Sequence, residues 1–212
     1  MRQGYGYKIG GFDVARYGDD KCASVAIQQM GALHWEMVFV DEWDHRDLSY
    51  TTGRLLSIAH EEKFDRSIVD EDGIGSGPLD TLIHGRQRND FTGFRNLPLN
   101  FKDNKDYANI RTANAYKLKD MILKGRIVIT DPATIKELTT LRYTYDHYQR
   151  KILVSKEMMR SKYQIKSPNR ADALIMAVSL VDEVRVEQDK QYYPVPNQYA
   201  KEENLFQLAG VR

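Results

Sequence analysis

The sequence contains a single cysteine, Cys22, among 212 residues. One cysteine excludes an intramolecular disulfide and a cysteine-based zinc site, and it fits a reducing, intracellular environment. No apolar run comes near the roughly 18 residues of a membrane span, and the opening segment MRQGYGYK has no apolar signal-peptide core. We therefore expect a soluble, cytoplasmic protein with no membrane partner.

The sequence also lacks the GxxxxGK[ST] loop of P-loop enzymes, so this chain carries no ATPase motif. Gly73, Gly75 and Gly77 are spaced GxGxG and do not match the GxGxxG pattern of dinucleotide sites. Three acidic residues, 70–72, stand before them and would repel a phosphate. The glycines therefore predict a sharp backbone turn after Asp70, not a phosphate cradle.

The net charge of +1 hides oppositely charged segments. Residues 1–80 hold 8 Lys and Arg against 15 Asp and Glu, residues 81–170 hold 19 against 8, and residues 171–212 hold 4 against 7. The balances are thus −7, +11 and −3. An acidic part joined to a basic part suits a site that gathers divalent cations and a polyanion; ordinary variation along a solvated surface is the alternative.

Hydrophobic periodicity predicts an α/β domain that opens with three antiparallel strands. The first two strands form a hairpin within 8–27, and the third covers 33–42. A helix over 48–62 and a short buried strand over 66–70 follow, and the apolar residues of 94–101 have strand spacing. Further helices are predicted over 77–85, 107–124, 131–141 and from 167 to near 186, with a strand over 126–129 and a β-hairpin over 142–156.

Three aspartates lie on three different predicted elements. Asp13 is surrounded by apolar residues within the first strand, where a carboxylate is costly without a cationic partner such as a metal ion. Asp70 ends a buried strand, and ligands of α/β sheets bind at that end. Asp172 begins the last helix, where the helix dipole favours an acid. A hydrogen bond to a turn amide for Asp13 and a plain helix-start acid for Asp172 remain alternatives.

Four segments, in this order, resemble the nuclease domain of the large terminase subunit of tailed bacteriophages: GFDVARYGDDKCASVAI, IVDEDGIGSGPLDTLI, NIRTANAYKLKDMILKGRIVI and KEMMRSKYQIKSPNRADALIMA. The resemblance covers about residues 8 to 184, and VDEDGIGSG and SPNRADAL are its most specific elements. It implies an RNase H-like α/β fold, in which an antiparallel three-strand meander is extended by parallel strands, flanked by helices and joined by a β-hairpin. We expect this nuclease domain over 1–186 and a flexible tail or docking segment over 187–212.

The resemblance implies that Asp13, Asp70 and Asp172 hold two divalent metal ions. We assign Asp13 as the bridging ligand, with Asp70 and Asp172 each completing one metal. Oxygen ligands favour Mg²⁺ or Mn²⁺ over zinc, and two such ions can activate water and stabilise the leaving oxygen of a phosphodiester. Asn169 stands where many relatives have a second acid, which predicts weaker metal affinity here. Nearby acids, expected to be turn residues, are the nearest substitutes as ligands: Asp19, Asp20, Glu71 and Asp72.

The implied function is an endonuclease that cuts concatemeric viral DNA during genome packaging. Its implied partners are double-stranded DNA and, in a full motor, an ATPase domain, a small terminase subunit and a portal. Lys156 and Arg160 lie in a basic run and are predicted DNA contacts. The basic helix face with Arg111, and the tyrosines beside Arg150, are further DNA-contact candidates.

Other readings of the sequence stay open. Another RNase H-like nuclease, such as a Holliday-junction resolvase, and a non-catalytic DNA-binding module of a packaging motor are the main alternatives. An actin-like kinase would need two phosphate-binding loops, and only one candidate turn is present. The first predicted strand begins only seven residues after Met1, which favours an isolated domain of a longer protein over a free-standing relative.

Overall fold

The computed structural model describes residues 6–15, 21–44, 46–71, 82 and 90–182. The chain divides into two units, Met1–Leu180 and Val181–Arg212, and nearly all of the described residues belong to the first. Of the predicted helix over 77–85 only Leu82 is described, as a buried helical residue, and the predicted tail over 187–212 lies outside the described residues. The boundary between nuclease domain and tail therefore stays a prediction.

A six-stranded mixed sheet forms the centre of the first unit, with the spatial order β5-β4-β1-β2-β3-β6. Its strands are β1 (Lys8–Asp13), β2 (Lys21–Gly31), β3 (His34–Asp44), β4 (Arg66–Asp70), β5 (Asp90–Phe94) and β6 (Ile127–Val128). The β1–β2 and β2–β3 pairs are antiparallel. The β1–β4, β4–β5 and β3–β6 pairs are parallel. A meander extended by parallel strands is the predicted sheet, and it is confirmed.

Two further strands, β7 (Tyr143–Tyr145) and β8 (Lys151–Leu153), form a separate antiparallel hairpin. This is the added hairpin of the prediction. Arg150, on its turn, is buried and donates to Asp146 at 2.9 Å and to the carbonyl of Leu99 at 2.7 Å. Its guanidinium therefore ties the hairpin to the preceding loop. The neighbouring tyrosines Tyr143, Tyr145 and Tyr148 are exposed, and their contact with nucleic acid stays a prediction.

The described part of the chain has five helices with assigned bounds around the sheet: α1 (Leu48–Glu61), α2 (Ile110–Leu123), α3 (Pro132–Thr140), α4 (Lys156–Tyr163) and α5 (Asn169–Ser179). Asp47, Asn109, Asp131 and Ser155 cap the first four through side-chain oxygens that accept backbone N–H groups. No helix in this part of the chain has both the length and the apolar character that a membrane span needs.

Alternation along β1 assigns its side chains to two layers. Phe12 belongs to a core with Leu55 and Ile58 of α1 on one face of the sheet. Gly11 faces the other way, and a Cβ there would overlap the carbonyl oxygen of Ala173 in α5. The glycine lets α5 pack directly on the strand. Asp13, two residues further along, emerges on the same face as Gly11, close to the start of α5.

Three elements differ from the sequence prediction. β5 runs parallel to β4 over 90–94, whereas the strand spacing had pointed to 94–101. Helix α4 follows the hairpin directly and was missed, because its eight residues contain few apolar side chains besides the buried Met159. Helix α5 is interrupted after Ser179, residues 181–182 are helical again, and the predicted end near Val186 lies outside the described residues.

Candidate active site

The carboxyl ends of β1 and β4 place two aspartates side by side. These strands are parallel neighbours, and Phe12 is in register with Val69. The next residue of each strand, Asp13 and Asp70, therefore occupies adjacent positions at the same edge of the sheet. Local sequence determines each strand end, and the parallel register brings the two ends together.

Helix α5 brings the third aspartate to this edge. Asp172 lies in its first turn, where the peptide dipoles favour a negative charge. All three aspartates line one pocket of about 220 Å³, together with Arg111 and Lys156. Asp13 is 2% exposed and Asp172 5% exposed. The structure thus brings together the three acids that sequence reasoning singled out, although 57 and 102 residues separate them along the chain.

Lys156, the first residue of α4, makes direct contact with two of the acids. Its Nζ donates to both carboxylate oxygens of Asp13, at 2.9 and 2.7 Å, and lies 3.4 Å from Oδ2 of Asp172. Burial alone would lower the pKa of this lysine, but Asp13 and Asp172 raise it above its ordinary value. Lys156 is therefore charged, and it faces the carboxylates.

Arg111, the second residue of α2, holds the third acid. Its Nε donates to Oδ1 of Asp172 at 2.9 Å, and its Nη2 lies 2.9 Å from the same oxygen. The backbone N–H of Arg111 donates to Oδ1 of Asn96, which fixes the start of the helix. Burial would raise the pKa of Asp172, but Arg111 and Lys156 hold it below the ordinary value.

For Asp13, the effects that raise the pKa outweigh those that lower it. Burial raises its pKa to about 7; Lys156 opposes this shift, and the neighbouring charges of Asp172 and Asp70 add to it. Among the described residues that line the pocket, three carboxylates face two cations, and the raised pKa of Asp13 indicates that its ionised form is incompletely neutralised. A further cation would remove this deficit.

The donor chemistry of the pocket fits a hard divalent cation. All three acids offer carboxylate oxygens, which Mg²⁺ and Mn²⁺ prefer. Oδ2 of Asp172 is buried and accepts no hydrogen bond from the described residues, and its ion-pair partner Nζ of Lys156 lies 3.4 Å away. Within the described part of the chain, however, no three His, Cys, Asp or Glu side chains are already arranged as a metal cluster. Lys156 and Arg111 take up carboxylate oxygens that a metal would use.

The other predicted site residues lie elsewhere. Arg160 and Asn169 line a different groove from the three aspartates. Glu71 is ion-paired with Arg95. Asp19, Asp20 and Asp72 lie outside the described residues.

Sequence reasoning placed Arg111 on a basic outer face, and this is wrong: its side chain is only 13% exposed and faces Asp172. The seven-residue spacing between Arg111 and Leu118 indicates the inward orientation of Arg111. Residues seven apart share a helix face, and Leu118 is buried.

Comparison with known proteins bears on the fold. No family model matches the chain, and no curated protein matches it. Among solved structures, the nuclease domain of the large terminase subunit gp2 of bacterial virus Sf6 matches with a TM-score of 0.68 and 20% identity, over 83% of this chain and 89% of that one. The large terminase nuclease of thermophilic phage G20c matches with a TM-score of 0.61 and 14% identity, over 84% of each chain.

The chain has the fold of the phage large-terminase nuclease domains. The nuclease domain of Thermus phage P74-26 matches as well, with a TM-score of 0.56 and 14% identity, over 82% of this chain and 79% of that one. The resemblance inferred from the four sequence segments is confirmed at the level of this terminase nuclease fold. Structures of the Sf6 domain with manganese and of the G20c nuclease with magnesium are known.

Proposed function

We propose that this chain is a divalent-metal-dependent endodeoxyribonuclease that cuts concatemeric viral DNA during genome packaging. One observation carries the proposal: Asp13, Asp70 and Asp172, from two parallel strand ends and a helix start, line a single pocket. The terminase nuclease fold supports it, as do the Sf6 and G20c nucleases solved with manganese and magnesium.

The three aspartates would hold two Mg²⁺ or Mn²⁺ ions, with Asp13 as the shared ligand. Such ions supply a water that is nucleophilic at neutral pH and stabilise the charge on the leaving oxygen. The chain's own residues prepare the ligands. Arg111 fixes the orientation of the Asp172 carboxylate, and Lys156 holds Asp13 until a stronger cation competes for it.

The substrate in this proposal is double-stranded DNA. The partners in a complete motor would be an ATPase domain, a small terminase subunit and a portal, and the location would be the cytoplasm, that of the host cell for a viral protein. The P-loop motif is absent from this sequence, so packaging would need an ATPase outside this chain.

A plasmid-nicking assay tests the proposal. Supercoiled plasmid should be cut by the full chain with Mg²⁺ or Mn²⁺ and left intact with EDTA. Asp13→Asn, Asp70→Asn and Asp172→Asn should each lose more than about 100-fold in rate, since changes around metal ligands already cost roughly 10–100-fold.

Asp103→Asn is the matched control. Asp103 lies exposed in the loop before α2, outside the pocket, and its variant should cut like the wild type. Cutting that persists in EDTA would refute metal dependence, and near-normal cutting by folded Asp13→Asn protein would refute the bridging role.

A further inference from the structure

A second, larger groove lies beside the aspartate pocket. Its volume is about 890 Å³. Its polar lining comes from β2, β3, α3, α4, the segment before α5 and the first residue of α5. It includes two acids, Glu42 and Glu137, and six other polar residues: Lys21, Lys136, Arg160, Lys166, Ser167 and Asn169. We call this region the basic groove.

Two helices connect the basic groove to the aspartate pocket. On α4, Lys156 lines the pocket and Arg160, four residues later, lines the groove. On α5, Asp172 lines the pocket and Asn169, three residues earlier, lines the groove. Residues three or four apart lie on one helix face about one turn of 5.4 Å apart. A polymer with a phosphate in the pocket therefore passes the basic groove within a few ångströms.

The rim of the groove is cationic. Lys136, Arg160 and Lys166 are exposed there. The two acids of the groove are already engaged inside the protein. Glu42 is 3.1 Å from Nη2 of Arg170 and 3.6 Å from Nζ of Lys21.

Glu137, the other acid, accepts the backbone N–H of Ala171 at 3.0 Å. With Glu42 also paired, the field at the rim is positive, which favours a polyanion.

The floor of the groove contains a buried amide residue and a buried hydroxyl. Asn169 is 5% exposed and lines the groove. Oγ of Ser167, two residues earlier, is buried and has no hydrogen-bond partner among the described residues. Buried donors of this kind are normally satisfied, and leaving one unmade is costly. Both can donate to a phosphate oxygen, and a neutral amide at 169 does not repel it.

We propose that the basic groove binds the phosphodiester backbone of the DNA strand next to the scissile phosphate. In this arrangement Lys136, Arg160 and Lys166 neutralise phosphates from the rim, and Asn169 donates a hydrogen bond from the floor. The inference rests on the proposed nuclease function for the identity of the polyanion. The two predicted DNA contacts thus have different roles in this proposal. Arg160 binds the DNA backbone, whereas Lys156 pairs with the carboxylates of Asp13 and Asp172.

Binding of a labelled duplex of arbitrary sequence, followed by fluorescence anisotropy in EDTA, tests the groove without cleavage. Each phosphate contact contributes about 0.9 to the slope of log K against log salt. The triple variant Lys136→Gln, Arg160→Gln, Lys166→Gln should therefore flatten the slope by about 2.7. Raising the salt concentration from 50 to 200 mM should therefore weaken DNA binding by the wild type roughly 40-fold more than it weakens binding by the triple variant.

Lys102→Gln, Lys105→Gln is the matched control, because both lysines are exposed on a loop outside the groove. Its slope should equal that of the wild type. A triple variant with an unchanged slope would overturn the proposal. A flattening of about 1.8 in the control, the same 0.9 for each charge removed, would also overturn it, since net charge alone would then explain the effect.

Asn169→Asp gives a second readout at the floor. A carboxylate there should repel the backbone, so binding in EDTA should weaken severalfold and the salt slope should stay close to the wild-type value. Binding as tight as that of the wild type would show that no phosphate approaches Asn169.

Cleavage assays keep this inference apart from the nuclease proposal. If the wild type binds DNA through the groove but never cuts plasmid with Mg²⁺ or Mn²⁺, the nuclease proposal fails and the groove stands. If the wild type cuts and the triple variant keeps the wild-type salt slope, the groove fails alone.

Discussion

Replacing Asp13 by Asn should stabilise the metal-free protein. The side chain is 2% exposed, and burial raises its pKa from 3.8 to about 7, with Lys156 opposing the shift and Asp172 and Asp70 adding to it. Each pKa unit corresponds to about 1.4 kcal/mol. The ionised Asp13 carboxylate therefore costs the fold on the order of 4 kcal/mol, and Asn keeps the shape without the charge.

The sign of the pH dependence follows from proton binding. The pKa of Asp13 is higher in the folded protein, so between pH 3.8 and about 7 the folded state binds more protons than the unfolded state. The free energy of unfolding of the wild type therefore falls as pH rises through that window and levels off above it. The amide of the Asp13→Asn variant cannot titrate. The stability advantage of Asp13→Asn should grow by about 3 kcal/mol from pH 5 to pH 8, because two of those pH units lie within the window.

Urea unfolding in EDTA at the two pH values measures this difference, and groups that do not interact with Asp13 cancel in the comparison. Asp103→Asn, in an exposed loop, should show no such growth. An advantage for Asp13→Asn that stays constant or shrinks from pH 5 to pH 8 would refute the reasoning. Stabilisation together with lost cleavage would mark Asp13 as a site residue kept at a cost in stability.

Three other changes probe the framework of the site. Lys156→Ala removes the cation that competes for the carboxylates, so calorimetric titration should show tighter Mn²⁺ binding; weaker binding would contradict this. Arg111→Ala leaves a buried acid without its partner and should lower the free energy of unfolding by about 3–5 kcal/mol in urea, whereas a loss below about 1 kcal/mol would be typical of a surface pair. Gly11→Ala drives a methyl group into the carbonyl of Ala173 and should cost at least about 1–3 kcal/mol. Gly53→Ala, which meets no atom within 4 Å, should be neutral or stabilising, and equal losses in both would refute the close packing of strand and helix.

Local sequence was sufficient to predict the elements that carry the acids. The strand that ends at Asp70 has the predicted bounds, and the α1 helix and the meander lie within a few residues of theirs. Apolar periodicity is a local property, and the buried aspartates interrupt it visibly. Apolar periodicity could not predict α4, because this eight-residue helix buries a single residue, Met159, and one buried position shows no period.

Only the tertiary structure decided which charges meet. Lys156 and Asp13 are 143 residues apart, and Arg111 and Asp172 are 61 apart, yet each pair lies within hydrogen-bonding distance. No local pattern encodes such pairs, because any of the many basic side chains could have faced the acids. The parallel register of β1 and β4 and the close approach of α5 at Gly11 place the acids where Lys156 and Arg111 reach them. The sequence by itself determined the three acids and the order of elements, whereas packing determined that Lys156 and Arg111 balance them and that Arg160 lies one helical turn away, in the groove.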